Sequence, residues 1–444
     1  MDTPICDFVR AYARSNTSRL HMPGHKGAGY LGVEQLDITE ICGADSLYEA
    51  QGIIAKSELN AGTLFGCRTL YSTEGSSQCI RAMLYLVSIF AKQQGKKPLI
   101  AAGRNAHKAF LTAAALLDVE VRWLYPKNTS SYLSCDLTPG ELEEYLQGET
   151  PAAVYLTSPD YLGRIADISG LAEVCHRHGV LLMVDNAHGA YLKFLPESLH
   201  PMDLGADLCC DSAHKTLPVL TGGAYLHLSD EMNGAVGEQA RNALALFGST
   251  SPSYLILQSL DAANPYLESY PDRLREQLGR IAALKEHLLQ KGFMLYGDEV
   301  LKLTISAKPY GYTGNQLADL LRQQNVEPEF ADPDYLVLML SAQMDADTLE
   351  RLEDALCRIP PRTPITERCP DFVPGEQVLP IRQAMLACQE RLPVAECEGR
   401  ILAAATVGCP PAVPILVCGE RIDAQAMECF RYYGIDECYV VKNK

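Results

Sequence analysis

No stretch of about 18 uninterrupted apolar residues occurs in this 444-residue chain, and Met1-Asp2-Thr3-Pro4-Ile5-Cys6-Asp7 holds no basic segment leading into an apolar run. The sequence therefore predicts a cytoplasmic protein with no membrane span and no export signal. Basic charge is scarce as well: 38 Lys and Arg stand against 55 Asp and Glu, a formal net charge of −17. Nucleic-acid phosphates need concentrated positive charge, so no nucleic-acid partner is expected. Sixteen cysteines are present, yet none forms a Cys-x-x-Cys. Those of the C-terminal segment (Cys369, Cys388, Cys397, Cys409, Cys418, Cys429, Cys438) lack the spacing of a zinc site, so they read as reduced, small apolar side chains and no metal is predicted. Internal repeats and low-complexity tracts are also missing, and at 47% hydrophobic the chain has ample material for the cores of ordinary globular domains.

What is present is alternation. Apolar runs at Pro98 to Ala102, Val119 to Leu124, Ala152 to Thr157, Val180 to Asp185, Asp207 to Asp211 and Ala224 to Leu228 read as strands buried on both faces. Helical patterns at Ser76 to Gln94, Asn105 to Leu117, Thr138 to Gln147 and Ile168 to His178 separate them, the third opened by a capping box, Thr138-Pro139-Gly140-Glu141. This predicts an α/β fold: a mostly parallel sheet between helices, with ligands beyond the carboxyl ends of its strands. A long helix over Ser253 to Gln290, broken near Pro265 and Pro271, then leads to a smaller α+β unit with strands near Val300 to Ser306 and Tyr335 to Ser341. The prolines of Pro360-Pro361-Arg362-Thr363-Pro364 mark a linker before a small C-terminal domain.

Two of the strand ends carry chemistry. One run ends in Asp185-Asn186-Ala187-His188, and another leads into Ser212-Ala213-His214-Lys215. An amine to hold an aldehyde and a carboxylate to keep a pyridine nitrogen protonated are what pyridoxal 5'-phosphate requires. Gly75-Ser76-Ser77, opening the first long helix, supplies free amides and hydroxyls suited to a phosphate. His107, after the strand Pro98 to Ala102, could stack on the ring or simply cap a helix, and the turn Thr157 to Gly163 could line the same pocket. Glu329 and Asp332 are candidate acids for a basic substrate side chain, although both also read as surface carboxylates.

Taken together, the chain resembles the bacterial ornithine/lysine/arginine decarboxylases. The resemblance rests on Pro23-Gly24-His25-Lys26, the acidic stretch Asp37 to Leu47, Arg104-Asn105-Ala106-His107-Lys108, Ser212-Ala213-His214-Lys215 and Ser249 to Tyr254, and runs nearly end to end. It implies a fold type I, aspartate-aminotransferase-like enzyme with a seven-stranded-type sheet. The implied domains are an N-terminal arm (1–60), a large cofactor domain (61–262), a small α+β domain (263–365) and a C-terminal domain (366–444). It implies that Lys215 holds the cofactor aldehyde, His107 stacks on the ring, Asp185 pairs with the ring nitrogen, Ala187 packs against the ring and His188 lies near the phenolic oxygen. Gly75, Ser76, Ser77, Ser212 and His214 would hold the phosphate, joined by Thr250 or Ser251 of a partner chain in a homodimer with shared sites. The implied reaction is decarboxylation of a basic amino acid, within polyamine or acid-stress metabolism.

The resemblance is to the short form of the group, since the Pro-Gly-His-Lys segment begins at residue 23, and the chain departs from the group's usual residues at two further sites. Asn186 stands where Glu is commoner, and Cys409-Pro410-Pro411-Ala412-Val413-Pro414 replaces a Tyr-Pro-Pro-Gly-Ile-Pro segment, followed by a preserved Gly419-Glu420. Two other readings use the same residues. A transaminase or carbon-sulfur lyase also needs Lys215 and Asp185, because the reaction depends on which Cα bond stands perpendicular to the ring. A non-catalytic binding homologue is the alternative of another class, and the presence of Lys215, Asp185 and His107 argues against it.

Overall fold

Seven strands form one sheet in the order β1-β7-β6-β5-β4-β2-β3, where β1 is Arg68–Ser72, β2 Leu99–Gly103, β3 Glu120–Leu124, β4 Ala153–Thr157, β5 Leu181–Asp185, β6 Leu208–Asp211 and β7 Ala224–Leu228. The structure is a computed structural model and describes residues 1–127, 132–148, 150–371, 373–409 and 413–443. Pairs β2/β3 and β5/β6 are parallel, whereas β7 runs antiparallel to both β6 and β1. All but the first of these strands coincide within a residue or so with the apolar runs of the sequence. β1 was not anticipated, because Arg68, Thr69 and Ser72 break its apolar pattern. It is held by pairing, with Thr69 opposite His227 and its hydroxyl 2.9 Å from that imidazole's Nδ1.

The chain divides into two units. The first comprises Met1–Pro98, Thr150–Val154 and Ile168–Leu274. Here the helix Ser76–Gln93 buries Ile80, Met83, Leu84 and Val87, spaced three and four apart on one face. The helix Ile53–Phe65 begins where Asp45, in the acidic stretch, accepts from the amides of Gly52 (2.8 Å) and Ile54 (2.8 Å). The amino-terminal helix Pro4–Arg14 has its first amides, Ile5 and Cys6, satisfied by Asp261 at 3.0 and 2.9 Å. Asp261 lies on the helix Tyr254–Gln290, whose assignment runs unbroken through Pro265 and Pro271, so the expected break is absent. The physical reason is tertiary: Asp261 and Asn264 are fully buried on that helix and bond to Ser57 (2.6 and 3.3 Å), which outweighs the cost of each proline's missing donor.

The second unit comprises Leu99–Glu149, Tyr155–Asp167 and Arg275–Lys444. The expected capping box at Thr138 is present: the Thr138 amide donates to Glu141 Oε2 (2.9 Å) and the Glu141 amide to Thr138 Oγ1 (3.2 Å). A four-stranded antiparallel sheet follows in the order β10-β11-β9-β8, with β8 Met294–Tyr296, β9 Lys302–Ser306, β10 Phe330–Ala331 and β11 Tyr335–Met339. Only β9 and β11 are legible in the sequence, since strands of two or three residues show no periodicity. Beyond the linker, Cys397, Cys429, Cys438, Leu402, Ile415 and Phe430 share one apolar cluster with Tyr132, Leu162 and Val337. The C-terminal thiols of Cys397, Cys418, Cys429 and Cys438 are buried and free, acting there as small apolar side chains. Within the segment Cys409 to Pro414, residues 410–412 lie outside the described residues. Among the described residues no helix is long and apolar enough to cross a membrane.

Candidate active site

β5 and β6 end side by side, with Asp185 opposite Cys210 in the register, so the turns that follow them leave the sheet together. The first turn carries Asp185, only 2% exposed, whose Oδ1 accepts from the Ala187 amide at 3.3 Å and lies 3.7 Å from the Cys210 thiol. Burial and then the adjacent Asp185 hold that thiol protonated, well above its usual range, so it is a donor and not a nucleophile. The second turn is the short helix Ala213–Thr216, which aims Lys215 back at the first: Lys215 Nζ stands 3.0 Å from His188 Nε2. Lysine and imidazole can therefore exchange a proton directly.

The helix Ser76–Gln93 starts beside them. Its N-cap, Gly75, has φ +72 and no side chain to cap the first turn; the Gln78 amide bonds the Gly75 carbonyl at 3.2 Å, which leaves the Ser76 and Ser77 amides to a ligand. Ser212 donates to Ser76 across the two segments at 2.8 Å, which joins the hydroxyls of both motifs. Gly75 is fixed in turn by Gly222, whose carbonyl accepts its amide at 2.7 Å. His214 binds the Gly223 carbonyl through Nδ1 at 3.0 Å, and burial lowers its pKa, so it is a neutral donor clamped to the loop. Ser77 follows in the same first turn, and Ala187 is buried at 7% beyond Asp185.

The remaining predicted residues belong to other segments of the chain. Thr250 and Ser251 are exposed, in a segment tied to the Gly75 loop by a Ser249 amide bond of 2.5 Å to Glu74 Oε1. His107 belongs to the second unit, where it is the N-cap of the helix Lys108–Leu117 and Nδ1 accepts from the Ala109 amide at 3.2 Å. That bond places the ring proton on Nε2 in the neutral form. In the same unit Glu329 is exposed and receives the Tyr161 hydroxyl at 2.8 Å. Asp332, in contrast, is no surface acid: it is 4% exposed and its Oδ1 closes its own turn, accepting from the amides of Asp334 (2.7 Å) and Tyr335 (2.6 Å).

The donor set fits pyridoxal phosphate. An amine, a buried carboxylate, paired serine hydroxyls and an uncapped helix start occur within one unit, and Thr216 Oγ1, next to Lys215, is buried with no hydrogen-bond partner among the described residues.

Residues 3–302 match the family described as Orn/Lys/Arg decarboxylase, major domain, and residues 373–438 match Orn/Lys/Arg decarboxylase, C-terminal domain. The chain belongs to the ornithine/lysine/arginine decarboxylase family. Among curated relatives it is 30% identical to an arginine decarboxylase of Halalkalibacterium halodurans, over 95% of this chain and 91% of that protein. An arginine decarboxylase of Bacillus subtilis is 28% identical over the same shares. In fold, this family member is similar to a Francisella novicida lysine decarboxylase, with a TM-score of 0.80 at 16% identity over 99% of this chain and 81% of that one. As a family member it is a carboxy-lyase, and its family works with pyridoxal phosphate.

Three parts of the site escaped the sequence analysis: the Cys210 thiol on Asp185, the bond from Asn186 to Asp211 and the pair of histidines on Asp211. Asn186 was visible as a departure from the family pattern, but its partner lies 25 residues away and only the sheet register brings the two together.

Proposed function

We propose that this decarboxylase acts on a basic amino acid, arginine first among arginine, lysine and ornithine, and releases carbon dioxide and the corresponding amine. The observation that carries the reading is the 3.0 Å contact of Lys215 with His188, beside a buried carboxylate and a phosphate-ready helix start. Arginine comes first because the curated relatives named above carry that substrate in their names. When bound, pyridoxal phosphate supplies an aldehyde for the substrate amine and a ring that accepts the electrons left by departing carbon dioxide.

The chain's own residues do the rest. Lys215 would hold the cofactor's aldehyde, and His188, 3.0 Å from Nζ, would take up the Nζ proton that keeps this amine from acting as a nucleophile. Asp185 keeps a proton on the ring nitrogen, because an opposite charge nearby favours the protonated form. Ser76, Ser77, Ser212, His214 and the amides after Gly75 would take the phosphate. Lys215 or His188 would return a proton to the substrate Cα. A homodimer is part of the same proposal: Leu20, Tyr30 and Leu31 are 93%, 106% and 83% exposed in the single chain, an apolar arm surface that a second copy would cover.

The test is to incubate cofactor-loaded protein with arginine, lysine and ornithine separately, recording carbon dioxide and identifying the amine by mass spectrometry, with Lys215→Ala as the blank. Carbon dioxide from one substrate, absent in the blank, is the expected result. A spectrum that shifts with amino acids but releases no carbon dioxide would move the assignment to transamination or carbon-sulfur cleavage.

A further inference from the structure

Asp211 is fully buried and carries donors on both of its oxygens. Asn186 Nδ2 binds Oδ1 at 2.7 Å, while Nε2 of His200 and Nε2 of His227 each stand 3.1 Å from Oδ2. Both histidines are fully buried too, and the Cys209 thiol lies 3.9 Å from Oδ1. His200, Cys209 and Asp211 could pass for metal ligands, but the histidine protons argue otherwise. Met202 donates its amide to His200 Nδ1 at 3.3 Å, so that ring carries its proton on Nε2, pointing at Asp211. His227 Nδ1 faces Thr69 Oγ1 at 2.9 Å, and the Thr69 hydroxyl can donate onward to the Cys67 carbonyl at 3.4 Å. His227 can thus carry a proton on each nitrogen and neutralise Asp211. Burial opposes the charge on both groups, yet the two imidazoles bring Asp211 well below the usual carboxylate range, and Cys67 and Asp211 raise His227. Asp211 is therefore a stable buried anion with a fixed set of donors.

Its contact with Asn186 points at the active site. Asn186 follows Asp185, its amide donates to the Cys210 carbonyl at 3.0 Å, and its own carbonyl accepts from Gly189 at 2.8 Å. A Cβ at Gly189 would lie 1.9 Å from Asn186 Oδ1, so the turn needs glycine there to leave room for this side chain. We propose that Asp211 is a positioning residue: through Asn186 it locks the turn 185–188 and so sets where Asp185 and His188 meet the cofactor. The proposal rests on the cofactor-binding reading given above. It accounts for the asparagine at 186, since a glutamate there would face the Asp211 charge in the core.

The test compares wild type, Asn186→Ala, Asp211→Asn and the swap Asn186→Asp with Asp211→Asn, which rebuilds an amide-carboxylate pair with the roles exchanged. Amide hydrogen exchange over 185–189 in cofactor-free protein is the first readout. The dissociation constant for pyridoxal 5'-phosphate and the pH midpoint of the bound cofactor's absorbance are the others. Asn186→Ala and Asp211→Asn are expected to speed exchange in that segment, weaken cofactor binding about tenfold and move the midpoint, with the swap recovering most of each effect. Unchanged exchange and affinity in Asn186→Ala, or loss in the swap equal to that in Asp211→Asn, overturns the proposal. Melting temperatures identify any variant that is merely unfolded, in which case Asn186→Ala decides. If wild type itself binds no cofactor, the functional reading fails on its own, while the exchange experiment still decides whether Asp211 holds the turn.

Discussion

Arg104 and Glu420 form an ion pair, Nη2 to Oε2 at 2.9 Å, with only 5% and 1% of the two side chains exposed. The guanidinium also donates to the carbonyls of Pro414 (3.1 Å) and Ile415 (3.3 Å) and lies over the Trp123 ring, while Oε2 accepts from the Val417 amide at 2.8 Å. Arg104 opens the motif Arg104 to Lys108, which contains His107, and Glu420 belongs to the preserved Gly419-Glu420 of the C-terminal segment, so one contact joins two motifs that are separate in sequence.

Removing one partner from such a pair strands the other charge in the core. Glu420→Ala is expected to cost about 3–5 kcal/mol, and the double replacement Arg104→Met with Glu420→Leu much less, because it leaves no charge uncompensated. Urea unfolding of the three proteins checks this. A double variant as unstable as Glu420→Ala would show that the polar bonds, rather than the stranded charge, set the cost.

Gly222 has φ +98, and a Cβ there would stand 2.8 Å from the Thr73 carbonyl oxygen, just before the Gly75 loop. Gly222→Ala is expected to destabilise the protein by roughly 1–3 kcal/mol, since both the backbone region and the space reject a side chain. It should also weaken cofactor binding, because Gly222 fixes Gly75. Thermal melts and cofactor titration measure the two effects; a loss of stability with full cofactor affinity would separate Gly222 from the phosphate loop.

The sheet was legible because β2, β4, β5, β6 and β7 are buried on both faces and two of them lead into conspicuous chemistry, Asp185, Ser212 and Lys215; β3, expected to be buried likewise, instead exposes Glu120 and Arg122 on one face. What sequence could not supply is partnership across the sheet. The Thr69 to His227 and Asn186 to Asp211 pairs depend on register, and β1 exists because β7 pairs with it. Local rules also misjudged the long helix, where Asp261 and Asn264 anchor a segment that Pro265 and Pro271 were expected to break. Asp332 shows the reverse error, a charged residue read as surface because burial of an acid is rare, when its own turn satisfies one oxygen.

Tyr30 and Leu31 offer a direct test of the dimer. Two large apolar side chains fully in water favour covering by a second copy, so Tyr30→Ser with Leu31→Asp is expected to raise the dimer dissociation constant at least about tenfold, at about 1.4 kcal/mol per decade. Sedimentation of wild type and variant over a concentration series reads this. Identical mass at every concentration in both proteins would take the arm out of the interface.

Asp332 makes stability depend on pH in a stated direction. Burial is the larger influence and pushes its carboxyl up to about 6, against the pull of the Tyr335 and Asp334 amides. Since the unfolded chain titrates near 3.9, the native state binds the proton more tightly. The resulting stabilisation is fully present below about pH 4 and is lost as pH rises through 6, to an extent of about 2–3 kcal/mol. Asp332→Asn keeps an oxygen for the two turn amides and carries no charge, so it should narrow that loss. The variant is expected to gain on wild type between pH 4 and pH 8, and the difference in urea midpoints at those two values measures it. A constant difference would mean that Asp332 is ionised in the native state throughout, with a counter-charge strong enough to offset its burial.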